Sequence, residues 1–435
     1  MDEMDCVEPA KDMAKGDDFG LEFPVHPQAF ETAGAAWLTS AFRRFGAIDS
    51  DNWVTRIDSV ERCPGGATGA KVIVEVQYAR SDPALHSRLF VKFSRDFQDA
   101  IRDSQRFELQ SEAKFARLSR MRDFPVRVPA AYFADFEAAT GTGILITEAI
   151  PFGQGGIEPQ RRKCLDHITL DDPFAYYRTI LLSVARLGGQ HKAGRLPREA
   201  EQMLPYAQAS ATADPIAFDA ARLEEFLRFN VDFSTRSPQL LPPEVASAEF
   251  LAGMCMDARR IFANEQKIRA FLLSEPDMVA LMHWNAQVDN CWFWREADGT
   301  LDCGMIDWGR VGQITLPTAL WGVLATAPLD IWDERLDELL GAFLGEYCRQ
   351  ASRTVSLDTL KTHLAAHIGL IGVSRVLPLL EVVMFRLPEC VDARDRFDPM
   401  FLDRDSARNS LHYYVTCMMH WHRSGLTGIL DRLLG

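Results

Sequence analysis

Two short strand-like runs, Cys291-Trp292-Phe293-Trp294 and Leu301-Asp302-Cys303-Gly304-Met305-Ile306, flank a segment containing Asp298-Gly299. Asp-Gly between apolar runs is a strong hairpin signal, because Gly accepts a positive φ at no steric cost. Pairing the two runs carries the ends of the segment, Asn290 and Asp307, to one edge of the hairpin. An amide oxygen and a carboxylate held there suit Mg²⁺, a hard cation that takes few protein ligands and completes its shell with phosphate and water. Such an edge is the metal half of a phosphoryl-transfer site. Trp292, Phe293 and Trp294 read as packing residues of the strand.

The rest of the chain changes character once. Residues 1–22 are rich in Asp, Glu, Lys and Gly without periodicity, and are expected to be disordered. From Trp53 to about Thr147 the sequence is strand-rich, with Val72-Ile73-Val74-Glu75-Val76-Gln77-Tyr78, Arg88-Leu89-Phe90-Val91-Lys92-Phe93 and Gly143-Ile144-Leu145-Ile146-Thr147 as its clearest runs. One charged, helix-like stretch from about Asp99 to Arg120 interrupts them.

Beyond Pro151-Phe152-Gly153 helices take over. Asp171-Asp172-Pro173 supplies a cap and a first-turn Pro, and Phe174, Tyr177, Leu181, Val184 and Leu187 follow at helical spacing. Further helical runs cover roughly 243–273, 317–350, 357–386 and 405–434. The reading is an α+β protein of bilobal plan. It has a disordered tail at 1–22, a small β-rich lobe with one long helix at 23–150, and a large, mainly helical lobe with the hairpin at 151–435.

Composition removes several classes of function. Of 435 residues 47% are hydrophobic and 25% charged, which describes a globular protein with a large core. The net charge of −14 argues against a nucleic-acid partner and is compatible with a cationic substrate. Nine Cys lie far apart with no C-x-x-C pair, as in a reducing compartment. No secretory h-region opens the chain and no 18 consecutive apolar residues occur, so a cytoplasmic protein without a membrane partner is expected. Oligomeric state is not legible in the sequence.

The stretch from His283 to Asn290, followed by Ile306-Asp307-Trp308, resembles the catalytic loop and metal-binding Asp of the kinase-like phosphotransferases, the group of aminoglycoside phosphotransferases and choline kinases. The resemblance spans roughly residues 50–325. It implies a protein-kinase-like fold, ATP and Mg²⁺ as cofactors, Asn290 and Asp307 as metal ligands, and His283 with the residue at 285 as the catalytic candidates. In that group an Asp two residues after the His orients the acceptor hydroxyl and takes its proton. This chain has Asn285, which can accept a hydrogen bond and cannot take a proton near neutral pH.

The same resemblance implies further roles in the first lobe. Gly66, in Pro64-Gly65-Gly66-Ala67-Thr68-Gly69-Ala70-Lys71, belongs to a glycine-rich turn that either cradles phosphates or is an ordinary hairpin turn. Lys92 would reach the α- and β-phosphates, oriented by Glu112, with Glu108 as the alternative partner. Main-chain atoms of Glu148 and Ile150 would hold adenine. His191 reads as a packing and hydrogen-bonding residue. Asp289 reads as a poor replacement base, Trp284 as a residue that crowds the loop or shapes the acceptor pocket, and Arg310 as either a phosphate contact or a surface residue.

The expected activity is ATP-dependent phosphotransfer to the hydroxyl of a small molecule. Residues 195–280 and the helices after 317 would build the acceptor pocket, with aminoglycoside, choline-like amine, sugar and steroid-like alcohol all open. The alternatives are a pseudokinase that binds Mg-nucleotide or a metabolite without efficient transfer and, third, a nucleotidyl transferase.

Overall fold

The computed structural model describes residues 12–63, 66 and 68–435, in two compact units. The first comprises the described residues up to Gly155, together with Pro197–Pro205 and Gly304–Val311. The second comprises Gly156–Leu196, Tyr206–Cys303 and Gly312–Gly435. Both short returns to the first unit lie inside what the sequence assigned to the helical lobe, and one of them carries Asp307.

The first unit begins with a small antiparallel pair, β1 (Met13–Lys15) and β2 (Glu22–Pro24). This corrects the expectation of disorder for residues 12–22; residues 1–11 lie outside the described residues. The physical reason is Asp135. Its buried carboxylate accepts the backbone N–H of Asp18 and Phe19, both at 3.1 Å, and so holds the turn between β1 and β2.

Helix α1 (Pro27–Phe45) follows, capped by the His26 ring and opened by Pro27, and it presents Phe30, Leu38, Phe42 and Phe45 to the core. The sequence reading had no helix here.

Five strands then form one antiparallel sheet: β3 (Val54–Arg62), β4 (Lys71–Tyr78), β5 (Arg88–Phe93), β6 (Ala131–Glu137) and β7 (Thr142–Glu148), in the order β3-β4-β5-β7-β6. Alternation sends Val72, Val74 and Val76 of β4 and Leu89, Val91 and Phe93 of β5 into the core. Phe93 meets Phe30 of α1 edge-on. Lys92 therefore points to the opposite face of its strand. The single long helix expected from Asp99 to Arg120 is broken at Gln105. After a turn of 3₁₀ helix, α2 (Leu109–Leu118) packs on β6 and β7. The break lets Arg106 reach the carbonyl of Thr140 and sets Phe107 against Phe136.

The second unit is mainly helical. Helix α3 (Pro173–Lys192) starts where the sequence placed it, with Asp172 accepting from the Ala175 N–H. It packs beside a short antiparallel pair, β8 (Val279–Met282) and β11 (Gly312–Thr315). The hairpin strands β9 (Cys291–Arg295) and β10 (Leu301–Met305) pair with each other. Their turn is the Asp-Gly turn: Gly299 has φ 84°, and Asp298 accepts from Thr300 N–H at 2.9 Å.

Later come α4 (Leu316–Leu324), α5 (Leu336–Ala351), α6 (Leu357–Ile371) and α7 (Asp405–Arg423). The run Leu357–Arg386 is long and apolar enough to cross a membrane by length and composition, although His363, His367 and Arg375 interrupt it. In the fold 61% of its most apolar window is buried, and α6 packs against α4 and α7 as a core helix does.

Removing the Asp135 carboxylate leaves the N–H donors of Asp18, Phe19 and Phe136 without that acceptor, a loss of roughly 1–3 kcal/mol for each group left unsatisfied. Asp135→Ala should lower the melting temperature and speed amide exchange in residues 12–24 well beyond the rest of the sheet. Uniform exchange across the first unit would contradict the anchoring role.

Candidate functional site

In the first unit Lys92 sits at the centre of a charged cluster. Its ammonium lies 2.7 Å from Glu112 Oε2 and 2.7 Å from Asp307 Oδ1, and Lys92 and Glu112 are both buried. Glu112, not Glu108, is therefore the helix partner of the strand lysine. Burial works against the charge on Lys92, but Asp307 and Glu112 outweigh it and hold the ammonium above its ordinary pKa. Burial likewise pushes the Glu112 carboxyl up, while Lys92 and the Trp308 N–H, 3.1 Å from Oε1, oppose that push. A triad of this kind keeps its charges because each has a close counter-charge or donor.

Asp307 is placed by its neighbour. Trp308 is buried, stacks on Phe115 of α2 with ring centroids 3.9 Å apart, and donates its indole N–H to Met305 O. Those contacts fix the backbone on the C-terminal side of Asp307, which takes a left-handed conformation with φ 59°. A non-glycine residue held there carries strain that the surroundings must impose, and such strain collects at ligand sites. The Asp307 side chain is half exposed at 49% beside its pair with Lys92.

The sequence reading did not assign Lys71. It is the cross-strand partner of Lys92 in the β4–β5 register, so both lysines share one face of the sheet. Directly opposed like charges destabilise a sheet unless anions lie between or beside them. Burial, then Lys92, lowers the Lys71 pKa to about 8, with Asp307 pulling the other way. The Lys71 ammonium also reaches back to the Thr68 carbonyl at 2.6 Å, tying it to the glycine-rich turn. In that turn Gly66 has φ 77°, and a Cβ on Gly69 would sit 1.8 Å from the Phe93 carbonyl oxygen. Glycine at 69 thus lets the turn lie directly on the end of β5. Pro64, Gly65 and Ala67 lie outside the described residues.

At the end of β7 the groups expected to meet adenine are partly committed. The Glu148 N–H donates to Ala130 O, and the Ile150 carbonyl accepts from the Phe152 N–H. The Glu148 carbonyl in turn accepts the Thr147 hydroxyl at 3.0 Å. The Glu148 side chain turns away to His86, 2.6 Å from its Nε2, and to the Ala130 N–H.

The second unit holds the loop residues. His283 is buried, and its Nδ1 accepts the Asn285 N–H at 3.1 Å. The Asn290 amide nitrogen donates to both the carbonyl and the side-chain oxygen of Asn285, at 3.0 and 3.1 Å. That orientation leaves the Asn290 oxygen as the atom a cation would take. It also occupies the oxygen of Asn285, so the residue at the proton-accepting position offers its NH₂ elsewhere. Asp289 forms an ion pair with Lys163 at 3.3 Å, which commits it away from base chemistry. His191 supports β8, accepting the Leu281 N–H. Arg310 has φ 62° and belongs to the first unit.

A cavity of about 240 Å³ opens beside Asn285, between the loop and α4. Close approach of loop and helix depends on Gly322, where a Cβ would lie 2.0 Å from the Trp284 carbonyl oxygen. Trp284 lines this cavity.

Asn290 belongs to the second unit and Asp307 to the first. Among the described residues no group of three or more His, Cys, Asp or Glu is arranged to hold a metal. A half-exposed carboxylate such as that of Asp307 nevertheless fits Mg²⁺, which takes most of its shell from water and phosphate.

No known protein family profile matches this chain, and no curated protein does. Several solved structures resemble it. They include a choline kinase from Cryptosporidium parvum Iowa II, 12% identical, with 87% of this chain and 91% of that one covered at a TM-score of 0.40. A microcompartment-associated aminopropanol kinase is 15% identical over 91% of this chain and 99% of that one, at 0.43. An aminoglycoside-3'-phosphotransferase of type VIII is 18% identical over 77% and 97%, at 0.34.

Two substitutions probe this arrangement. Lys71→Met should weaken Mg-ATP binding by about 10- to 100-fold, the loss of one charge-assisted contact, while leaving the melting temperature unchanged or raised. Unchanged nucleotide affinity would remove Lys71 from the site. Gly322→Ala should displace the Trp284–Asn285 backbone and perturb acceptor binding far more than nucleotide binding, readable by calorimetry with each ligand.

Proposed function

We propose that this protein is an ATP-dependent phosphotransferase of the kinase-like kind, acting on the hydroxyl of a small molecule. One observation carries the reading. Two lysines share one sheet face beside the carboxylates of Glu112 and Asp307, and Asp307 is held in a strained, half-exposed conformation. A charge array of this kind suits a polyphosphate with its cation. Lys92 and Lys71 would meet the phosphates, Glu112 orients Lys92, and Asp307 would supply a carboxylate ligand for Mg²⁺, whose chemistry is to neutralise phosphate charge.

In the reaction the acceptor oxygen forms a bond to the γ-phosphorus, and the bond from that phosphorus to the β,γ-bridging oxygen breaks. ADP leaves with the electron pair, and the hydroxyl proton passes to solvent or to a phosphate oxygen. Asn285 cannot take that proton. Its place in the loop, held by His283 and Asn290, is that of a positioning group. Phosphoryl transfer depends mainly on positioning and charge neutralisation, so a slower reaction is compatible with this loop.

Calorimetric titration with ATP in Mg²⁺ tests the nucleotide half. The native protein should bind, and Asp307→Asn should weaken binding at least about tenfold. This variant is preferable to a change at buried Lys92, which would leave Glu112 unpaired in the interior at a cost of about 3–5 kcal/mol. No Mg-ATP binding by the native protein refutes the proposal. For transfer, Asn285→Asp keeps an oxygen for the Asn290 amide and adds a base. A general base typically contributes about 10²–10⁴-fold, and turnover with a hydroxylated acceptor panel should rise toward that range. An unchanged rate would show that proton removal never limited the reaction.

A further inference from the structure

We infer that the cavity beside Asn285 receives a compact, largely apolar acceptor bearing a carboxylate or similar anion as well as its hydroxyl, and that it discriminates against cationic amines. The inference rests on the proposed phosphotransferase reading for the identity of the ligand as an acceptor. The site itself stands on the second unit alone.

The lining is the argument. Trp284 and Trp321 supply broad apolar walls, continued by Leu379 and Val376. The polar groups that face the cavity are Lys163, Arg375, Asn285, Gln287, Thr318 and Tyr413, and no carboxylate lines it. Moreover, each side-chain amide oxygen among these groups already accepts a hydrogen bond. Asn285 Oδ1 accepts from Asn290, and Gln287 Oε1 accepts from the Tyr413 hydroxyl at 2.9 Å. Both amides therefore have N–H donors to give, next to an ammonium and a guanidinium.

The two cations are held in place by acids that do not line the cavity: Asp289 beside Lys163, and Asp214, which accepts from Arg375 Nε at 2.8 Å. Their ion pairs fix the basic heads and do not place a carboxylate where a ligand would sit. A quaternary or primary amine in this space meets donors and like charge. A carboxylate meets partners for both oxygens, bidentate where it reaches Arg375.

The backbone around the cavity is also unusual. The long helix that begins with α6 loosens into a π-helical turn at Gly372–Val376, and Arg375 and Val376 of that turn line the cavity. Single π turns widen a helix locally and recur where ligands bind. Here the turn brings Arg375 to the wall that faces Trp284 and Asn285.

The whole-chain charge of −14 is compatible with a cationic substrate as well. Whole-chain charge acts over distances that salt screens, whereas a pocket selects by the groups within a few ångströms. The volume of about 240 Å³ suits an aryl or short-chain ligand better than a branched, multi-ring one.

Three probes of one shape and different charge test the inference: para-(hydroxymethyl)benzoate, the matching benzamide and the matching benzylamine. Binding to the full chain is measured by calorimetry with Mg-ATP absent and present. The benzoate should bind at least about tenfold more tightly than the benzylamine, with the amide between them. Arg375→Gln should remove most of that preference while leaving Mg-ATP affinity unchanged.

Equal or tighter binding of the benzylamine overturns the inference, as does binding of none of the three, or a preference that survives Arg375→Gln. If the benzoate preference holds in a protein that binds no Mg-ATP, the anion-selective cavity stands and the phosphotransferase reading fails. If Mg-ATP binds and the benzylamine is preferred, the reverse is true.

Discussion

A lysine ammonium on the face of a buried strand stays charged only while anions lie against it. Removing each ion from water costs several kcal/mol, roughly, and the mutual attraction offsets this only with close, well-bonded geometry. Lys92 has that geometry twice over, with Glu112 and Asp307 each at 2.7 Å. Much of the first unit is arranged around meeting this requirement. The alternation of β5 turns Lys92 away from Phe30, α2 brings Glu112, and Trp308, stacked on Phe115, delivers Asp307 and gives its own N–H to Glu112. The returning segment Gly304–Val311 joins the first unit because its Asp and Trp complete this cluster. An arrangement that keeps two anions and two lysines near balance is also one in which phosphates and a divalent cation can be exchanged in without a large change in local charge.

Asn285 acquires a structural meaning that its chemistry alone does not give. As an Asp it would be a base held by the Asn290 amide; as an Asn it keeps that hydrogen bond and turns two N–H donors outward. The same substitution that weakens proton abstraction thus removes a negative charge from the edge of the acceptor cavity. A carboxylate at 285 would place a negative charge on a cavity walled by Trp284 and Trp321 with Lys163 and Arg375 at its margins, against the anion preference proposed for it. On this view slower proton transfer and a different acceptor charge are two consequences of one residue.

How much of this was legible in the sequence depended on how local each feature is. The β9–β10 hairpin was readable because Asp298-Gly299 specifies its own turn, and α3 because Asp172 and Pro173 mark its start. Helix α1 was not, since Gly34 sits inside it at φ 65° and interrupts the helical pattern. The helix Ala220–Arg236 escaped notice although Asp219 caps it and Leu223, Phe226, Leu227 and Asn230 form its buried stripe. Lys71 could be singled out only once the β4–β5 register was known, because nothing in its neighbourhood in sequence says which residue of β5 it opposes. Trp308 was quoted as part of a motif, yet its role is a contact with a helix nearly two hundred positions earlier. The cavity lining draws on Lys163, Asn285, Trp321, Arg375 and Tyr413, a set that no local pattern could have gathered.

Net charge says little about any one pocket of this chain, and the reason is geometric. Acidic residues in this chain are spent largely in exposed ion pairs along helices, such as Glu224 with Arg259 and Glu338 with Arg335. Pairs of that kind are screened by solvent and contribute little to any one pocket. The groups that decide recognition are few and are fixed by partners outside the pocket: Asp289 behind Lys163, Asp214 beside Arg375, Tyr413 on Gln287. Each outer partner removes an acceptor from the ligand's reach and leaves a donor in its place. A chain that is acidic overall can therefore build a cavity lined by cations and amide groups and by no carboxylate.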